Sequence, residues 1–214
     1  MRRLVVATTN RGKLAEIAAI LEGVPFDILT LADFPSVAAP EEHGRTFAQN
    51  ARAKALYYAE ATGTLTVAED SGLEIDALDG APGVESARYG GADASFPQKF
   101  VSIYEALRAK NALGSPARFV CAVALARGTP SAAAAPGAPS GGRLLFETSG
   151  VIEGRVAGEP KGEGGFGYDP IFFYPPFAGT FAEAGDRKST VSHRGQAFRA
   201  LRTFLVQELL NLEA

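Results

Sequence analysis

Two carboxylates, Glu69 and Asp70, follow the apolar run Leu65-Thr66-Val67-Ala68 and are themselves followed by Ser71 and Gly72. Acids at the carboxyl end of a strand lie in the crevice where open α/β sheets bind ligands. Mg²⁺ takes oxygen donors, commonly one or two carboxylates plus substrate phosphates. A carboxylate there could also orient or deprotonate an attacking water. An acidic turn without chemistry is the plainer alternative. Near the start of the chain, Thr8-Thr9-Asn10-Arg11-Gly12-Lys13 joins an apolar run directly to a helical pattern. Small polar side chains, backbone N–H groups and a lysine at a helix start suit an anion such as phosphate. The Walker A spacing is absent, and an ordinary helix cap would account for the same residues. Asn50 and Lys54, four residues apart, share one helix face, while Glu41 and Glu42 precede that helix.

A third group lies late in the chain. Gly164-Gly165-Phe166-Gly167-Tyr168-Asp169-Pro170 sets two aromatics among glycines, with an acid after them. Glycine lets backbone approach a flat ligand, and a ring can stack on a base; a tight turn that buries its aromatics is the alternative. Lys188 and Ser192-His193-Arg194 follow, and donors at a helix start can meet a carbonyl or phosphate oxygen. The two histidines, His43 and His193, show no metal-ligand spacing.

The chain around these groups is ordinary. Its 214 residues suit one large domain, or one domain with two lobes. Hydrophobic residues make up 46% and charged residues 21%, and the net charge of -3 gives no global basic field for nucleic acid. A polyanionic ligand must therefore meet local positive charge. The single cysteine, Cys121, excludes an internal disulfide framework and fits a reducing compartment. No run approaches the roughly 18 apolar residues of a membrane span, so a cytoplasmic protein is expected.

Periodicity supplies the elements. Residues 3–7, 26–31 and 65–68 read as strands, and residues 11–22 and 46–62 as helices. Residues 74–78 read as a further strand after the acidic turn, and residues 80–91 as a loop. A helix passes through Phe100, Ile103, Tyr104 and Leu107. Residues 118–126, 144–152 and 171–174 are strand candidates. The separator 128–142, rich in Ala, Pro, Gly and Ser, reads as a flexible hairpin tip or a partner-binding tongue. Ser192 can cap a last helix with the stripe Phe198, Leu201, Leu205 and Leu209. Early alternation followed by a hairpin favours an α/β fold with a mixed sheet.

Taken in order, Thr8-Thr9-Asn10…Lys13, Thr46-Phe47…Asn50-Ala51…Lys54-Ala55, Asp70-Ser71-Gly72-Leu73, Ala87-Arg88-Tyr89, the 164–170 glycine segment and Ser192-His193-Arg194 resemble the inosine triphosphate pyrophosphatase, or Ham1-like, family. The likeness runs from residue 4 to about 205. It implies a single-domain homodimeric α/β protein, residues 1–214, with a long mixed central sheet flanked by helices and two lobes around an active-site cleft. It also implies Mg²⁺-dependent cleavage of ITP, dITP and XTP to monophosphate and pyrophosphate, clearing deaminated purines from the nucleotide pool. By position, Thr8, Thr9, Asn10, Arg11, Gly12 and Lys13 would bind the triphosphate with Lys54. Asp70 would be the catalytic carboxylate and, with Glu42, a metal ligand. Ser71 would touch substrate, Phe166, Gly167, Tyr168 and Asp169 would hold the base, and Lys188, His193 and Arg194 would complete the site. Donors on Arg194 and His193 would donate to the 6-carbonyl of hypoxanthine or xanthine and oppose the amine of adenine. The family usually has Asp and Glu where this chain has Glu69 and Gln49. Rival readings are a nucleotide-binding regulator without hydrolysis, a pyrophosphatase for pyrimidine or ordinary nucleotides, and a structural α/β domain.

Overall fold

The computed structural model describes residues 2–91, 93–128 and 142–207. The separator, apart from Gly128 and Gly142, and Leu209 of the last apolar stripe lie outside these residues.

The first half alternates as its pattern requires. Strand β1 (Arg2–Val6) leads into helix α1 (Arg11–Ile20), and strand β2 (Phe26–Thr30) follows. Helix α2 (Phe47–Thr62) starts at Thr46, whose hydroxyl accepts the Gln49 N–H at 3.2 Å, and stops at Gly63 with φ 62°. Both are ordinary helix-end chemistry: an oxygen satisfies an orphan donor, and a glycine takes the left-handed turn. Strand β3 spans Leu65–Ile75, and helix α3 spans Phe96–Ala109 behind a Ser95/Gln98 capping box. Then come β4 (Pro116–Arg127), β5 (Arg143–Val156), β6 (Phe172–Tyr174) and the two-residue β7 (Gly179–Thr180). A short helix α4 (Arg187–Val191) precedes α5 (His193–Gln207), which begins immediately after Ser192.

The seven strands run in the order β2-β1-β3-β4-β5-β6-β7. Strand β1 is parallel to β2 and β3, whereas β6 is antiparallel to β5 and β7. The sheet is therefore mixed, as expected for an α/β fold. Contacts divide the chain into two compact units. The first comprises residues 1–70, 121–150 and 194–214, and its core includes Leu4, Ile17, Val67, Val123, Phe198 and Leu201. The second comprises residues 71–120 and 151–193, with Ile75, Ile103, Leu107, Phe119, Phe172 and Phe181 in its core. Among the described residues, no helix is long and apolar enough to cross a membrane.

One element departs from its sequence pattern. Residues 65–68 and 74–78 are not two strands around an acidic turn; β3 runs without a break through Glu69, Asp70, Ser71 and Gly72. Polarity at residues 69–71 imitates a turn, but both acids are buried and each has cationic partners. Gly72 serves close approach. A Cβ there would overlap the Ser86 hydroxyl and come within 2.7 Å of the Gly83 carbonyl oxygen.

Candidate active site

In the first unit, the parallel pairing of β1 with β3 ends at Val6 opposite Val67, and the Ala7 N–H still donates to the Val67 carbonyl at 2.8 Å. Glu69 and Asp70 thus lie just past the end of this paired stretch. The sequence expectation survives in altered form: the acids sit where β1 ends, not where β3 ends. From β1 the chain turns through Thr8 and Thr9 into α1. The Asn10 N–H donates to the Thr8 hydroxyl at 3.2 Å, and the Asn10 side chain accepts from the Lys13 N–H at 3.0 Å. Thr9, Asn10 and Arg11 are exposed, and Thr8, Gly12 and Lys13 half-buried. The corner is braced by its own side chains yet open to solvent.

Two adjacent charge groups form around the acids. Asp70 is 7% exposed; its Oδ2 accepts from Asn50 Nδ2 at 2.9 Å, and its Oδ1 lies 3.5 Å from Lys54 Nζ. The same ammonium donates to Glu42 Oε1 at 2.8 Å. Burial is the largest influence on Asp70 and holds its carboxyl above the ordinary value, against the pull of Lys54 and Asn50. Burial alone would lower Lys54, but Asp70, Glu42 and Glu69 outweigh it and raise the ammonium. The second group centres on Glu69, whose Oε1 is 2.6 Å from Lys13 Nζ. Its Oε2 is 3.6 Å from Arg194 Nη2 and accepts from the Cys121 thiol at 3.4 Å. Arg194 Nη1 in turn lies 2.7 Å from Glu16 Oε2. Burial pushes the Glu69 carboxyl up, but Lys13 and Arg194 overcome it and hold it far below the usual range.

The second unit gathers a different set. Asp169 is 2% exposed, and its Oδ2 accepts from the Phe166 N–H at 2.8 Å and from Lys188 Nζ at 2.7 Å. Lys188 Nζ also stands 4.6 Å from the centre of the Phe166 ring, a cation–π contact. Gly165 and Gly167 adopt φ 70° and 67°, which lets the segment curl around the Asp169 carboxylate. The Tyr168 ring points into the core: it is 5% exposed, meets Phe96 edge-on at 5.3 Å, and its hydroxyl donates to the Ser86 carbonyl at 2.8 Å. This side chain is packed in the core of its unit. Ser71 is half-buried on β3, and His193 stacks on Phe119 at 4.8 Å.

The sequence-predicted residues therefore fall into two sets. Thr8, Thr9, Asn10, Arg11, Gly12, Lys13, Glu42, Lys54, Asp70 and Arg194 belong to the first unit. Ser71, Phe166, Gly167, Tyr168, Asp169, Lys188 and His193 belong to the second. The model of the Ham1 family matches residues 4–204. The chain belongs to the Ham1 family. It is 45% identical over 206 residues to a dITP/XTP pyrophosphatase of Geobacter sulfurreducens, covering 96% of this chain and 97% of that protein. It is 44% identical over 200 residues to the dITP/XTP pyrophosphatase of Thermus thermophilus, covering 93% and 89%. A HAM1 protein structure from Coxiella burnetii superposes with a TM-score of 0.82 at 39% identity and covers 100% of both chains. A nucleoside-triphosphatase, or dITP/XTP pyrophosphatase, structure from Mycobacterium abscessus gives 0.70 at 36% identity, covering 93% of this chain and 97% of that one.

This Ham1 family member also uses residues for which sequence reasoning offered no role. Asn50 fixes Asp70 while its Oδ1 accepts the Gly44 N–H at 2.8 Å; its place on the Lys54 face was the available signal. Glu16, three residues after Lys13 on α1, pairs with Arg194, and only that spacing hinted at it. The Arg194 guanidinium, expected to face a base, here directs Nη1 and Nη2 to Glu16 and Glu69 and is 2% exposed.

Proposed function

We propose that this chain hydrolyses ITP, dITP and XTP to the nucleoside monophosphate and pyrophosphate, as a Mg²⁺-dependent cytoplasmic homodimer that removes deaminated purines from the nucleotide pool. The observation that carries this reading is the Asp70 cluster. One buried carboxylate has its basicity raised by burial, one oxygen fixed by Asn50 and the other beside the Lys54 ammonium. A base needs a raised pKa and a fixed lone pair to take a proton from water. Names of similar proteins in two bacteria supply the substrate class.

Within this reading, Asp70 orients and deprotonates the water that attacks the α-phosphorus. Lys13 and Lys54 meet the phosphate oxygens, with the N–H groups at the start of α1 beside them. Glu42 and Asp70 would hold the metal. Their carboxylates already converge on one cation, Lys54 Nζ, which fits the donor set of a hard ion. Mg²⁺ commonly takes only one or two carboxylates and draws its other ligands from phosphate and water. Bound there, Mg²⁺ would stabilise negative charge on the triphosphate. Phe166 offers a ring for the base, held by Asp169 and Lys188.

The test is a nucleotide panel of ITP, dITP, XTP, GTP and ATP with Mg²⁺, resolving monophosphate, pyrophosphate and orthophosphate. Monophosphate and pyrophosphate from the first three, at rates well above ATP, are expected. Nucleoside diphosphate plus orthophosphate as primary products would overturn the bond assignment, and binding without turnover would leave a regulator.

A further inference from the structure

We propose that Glu69 is a positioning residue that fixes the Lys13 ammonium for the polyphosphate and is not a ligand of the metal. The inference deepens the function just proposed and rests on it. Its basis is the unbroken course of β3. Successive side chains on a strand point to opposite faces, so the carboxylates of Glu69 and Asp70 diverge. Their partners agree: Asp70 meets Asn50 and Lys54, whereas Glu69 meets Lys13, Arg194 and Cys121. The carboxylate that converges with Asp70 on a common cation is Glu42, from before α2. Side by side in sequence, the two acids serve different neighbours.

The Glu69 side chain is 2% exposed, while that of Lys13 is 20% exposed. A buried carboxylate thus reaches the solvent-facing corner only through the lysine. Arg194, anchored by Glu16 on α1 at 2.7 Å, stands behind it as a second positive charge. Lys13–Glu69–Arg194–Glu16 forms a row of alternating charge with no net charge. Such a row stabilises a buried carboxylate that would otherwise be costly to desolvate. It also holds the flexible lysine before ligand arrives. An ammonium has three N–H donors, so its ion pair with Glu69 leaves capacity for phosphate oxygens. Rotamer freedom lost in advance is not lost on binding, which is how a positioned cation gains over a mobile one.

The experiment compares wild type with E69Q, E69D, K13M and the double variant K13M/E69Q. Steady-state ITP hydrolysis is measured across Mg²⁺ concentrations, and metal-free tripolyphosphate binding is measured by calorimetry. E69Q should raise KM for ITP roughly tenfold with kcat changed less than about threefold, the pattern of lost binding. E69D keeps the charge and should return KM to within about threefold of wild type. The double variant should match K13M within the same margin, and half-saturating Mg²⁺ should stay constant. A double variant tenfold or more below K13M, or a raised Mg²⁺ requirement in E69Q, would overturn the proposal. Should E69Q fail to fold, K13M/E69Q still decides, because it removes one charge of each sign and leaves Arg194 on Glu16. The binding arm separates the two readings. Tripolyphosphate held more tightly by wild type than by E69Q, with no hydrolysis of any nucleotide, would sink the catalytic function and keep the role of Glu69. Equal tripolyphosphate binding by wild type, E69Q and K13M would sink the role itself.

Discussion

The two units hold their candidate residues by different means. In the first, side chains are fixed by charge: Glu42 and Asp70 around Lys54, and Glu69 and Glu16 around Lys13 and Arg194. In the second, shape is added to charge: glycines at positive φ, a ring under an ammonium, and Tyr168 wedged against Phe96 surround the buried Asp169–Lys188 pair. Charge tolerates small changes of shape but not loss of a partner, because a buried ion left alone is expensive. A glycine-built loop reverses that tolerance. Neutral substitutions should therefore disable the first set, and substitutions adding a single carbon should disable the second.

The strongest break is at Asp70. Asp70→Asn keeps size and shape, removes basicity, and should lower kcat at least ~100-fold, the scale of general-base catalysis. The protein should stay folded, because Lys54 keeps Glu42 as a partner at 2.8 Å and the carboxamide fills the same polar place beside Asn50. A fall in kcat of less than tenfold in correctly folded protein would move the base elsewhere.

Next comes Gly165→Ala. At φ 70° a side chain is strained, and the added Cβ would run into the Asp169 carboxylate. That carboxylate holds both the Phe166 N–H and Lys188. Strain of this kind costs on the order of 1–3 kcal/mol. We expect a lower melting temperature and KM for ITP raised severalfold, with the pH dependence of kcat unchanged. If the Gly165→Ala protein proved as active and stable as wild type, the loop would be held by something other than its shape.

How far the sequence foretold this follows the same division. Helix starts were legible because capping is local: Asn10 and Thr46 each reach three residues ahead. The mixed sheet was legible from strand and helix alternation. The continuity of β3 was not, since polar residues 69–71 imitate a turn unless their distant partners Lys13, Lys54 and Arg194 are known. Tyr168 illustrates the same limit, as its hydroxyl partner Ser86 lies 82 residues away. Motifs and resemblance singled out the acids and cations apart from Glu16. Which acid meets which cation required the pleat of β3 and the contact of Glu16 on α1 with Arg194 on α5.

The smallest expected effect tests the second unit away from its loop. Tyr104 is 5% exposed and its hydroxyl donates to the Ala157 carbonyl at 2.9 Å. Burial, helped by Glu159 and opposed by Arg108, raises the phenol from 10.0 to about 12. An unfolded chain loses this proton from about pH 10, while the folded chain keeps it until about pH 12. The unfolded state thus binds fewer protons across that window, so stability contributed by the neutral hydroxyl is complete below pH 10 and is lost as pH rises towards 12. Tyr104→Phe removes one hydrogen bond, worth about 1 kcal/mol near neutrality, and removes the titration as well. The stability gap between wild type and Tyr104→Phe, measured by urea unfolding, should therefore shrink from about pH 9 to about pH 12. The kcat for ITP at neutral pH should stay within about twofold of wild type, because a surplus of stability seldom limits turnover. A gap that stayed constant with pH would mean the phenol titrates as it does in water. A collapse of kcat would mean that shape in the second unit controls chemistry as tightly as charge does in the first.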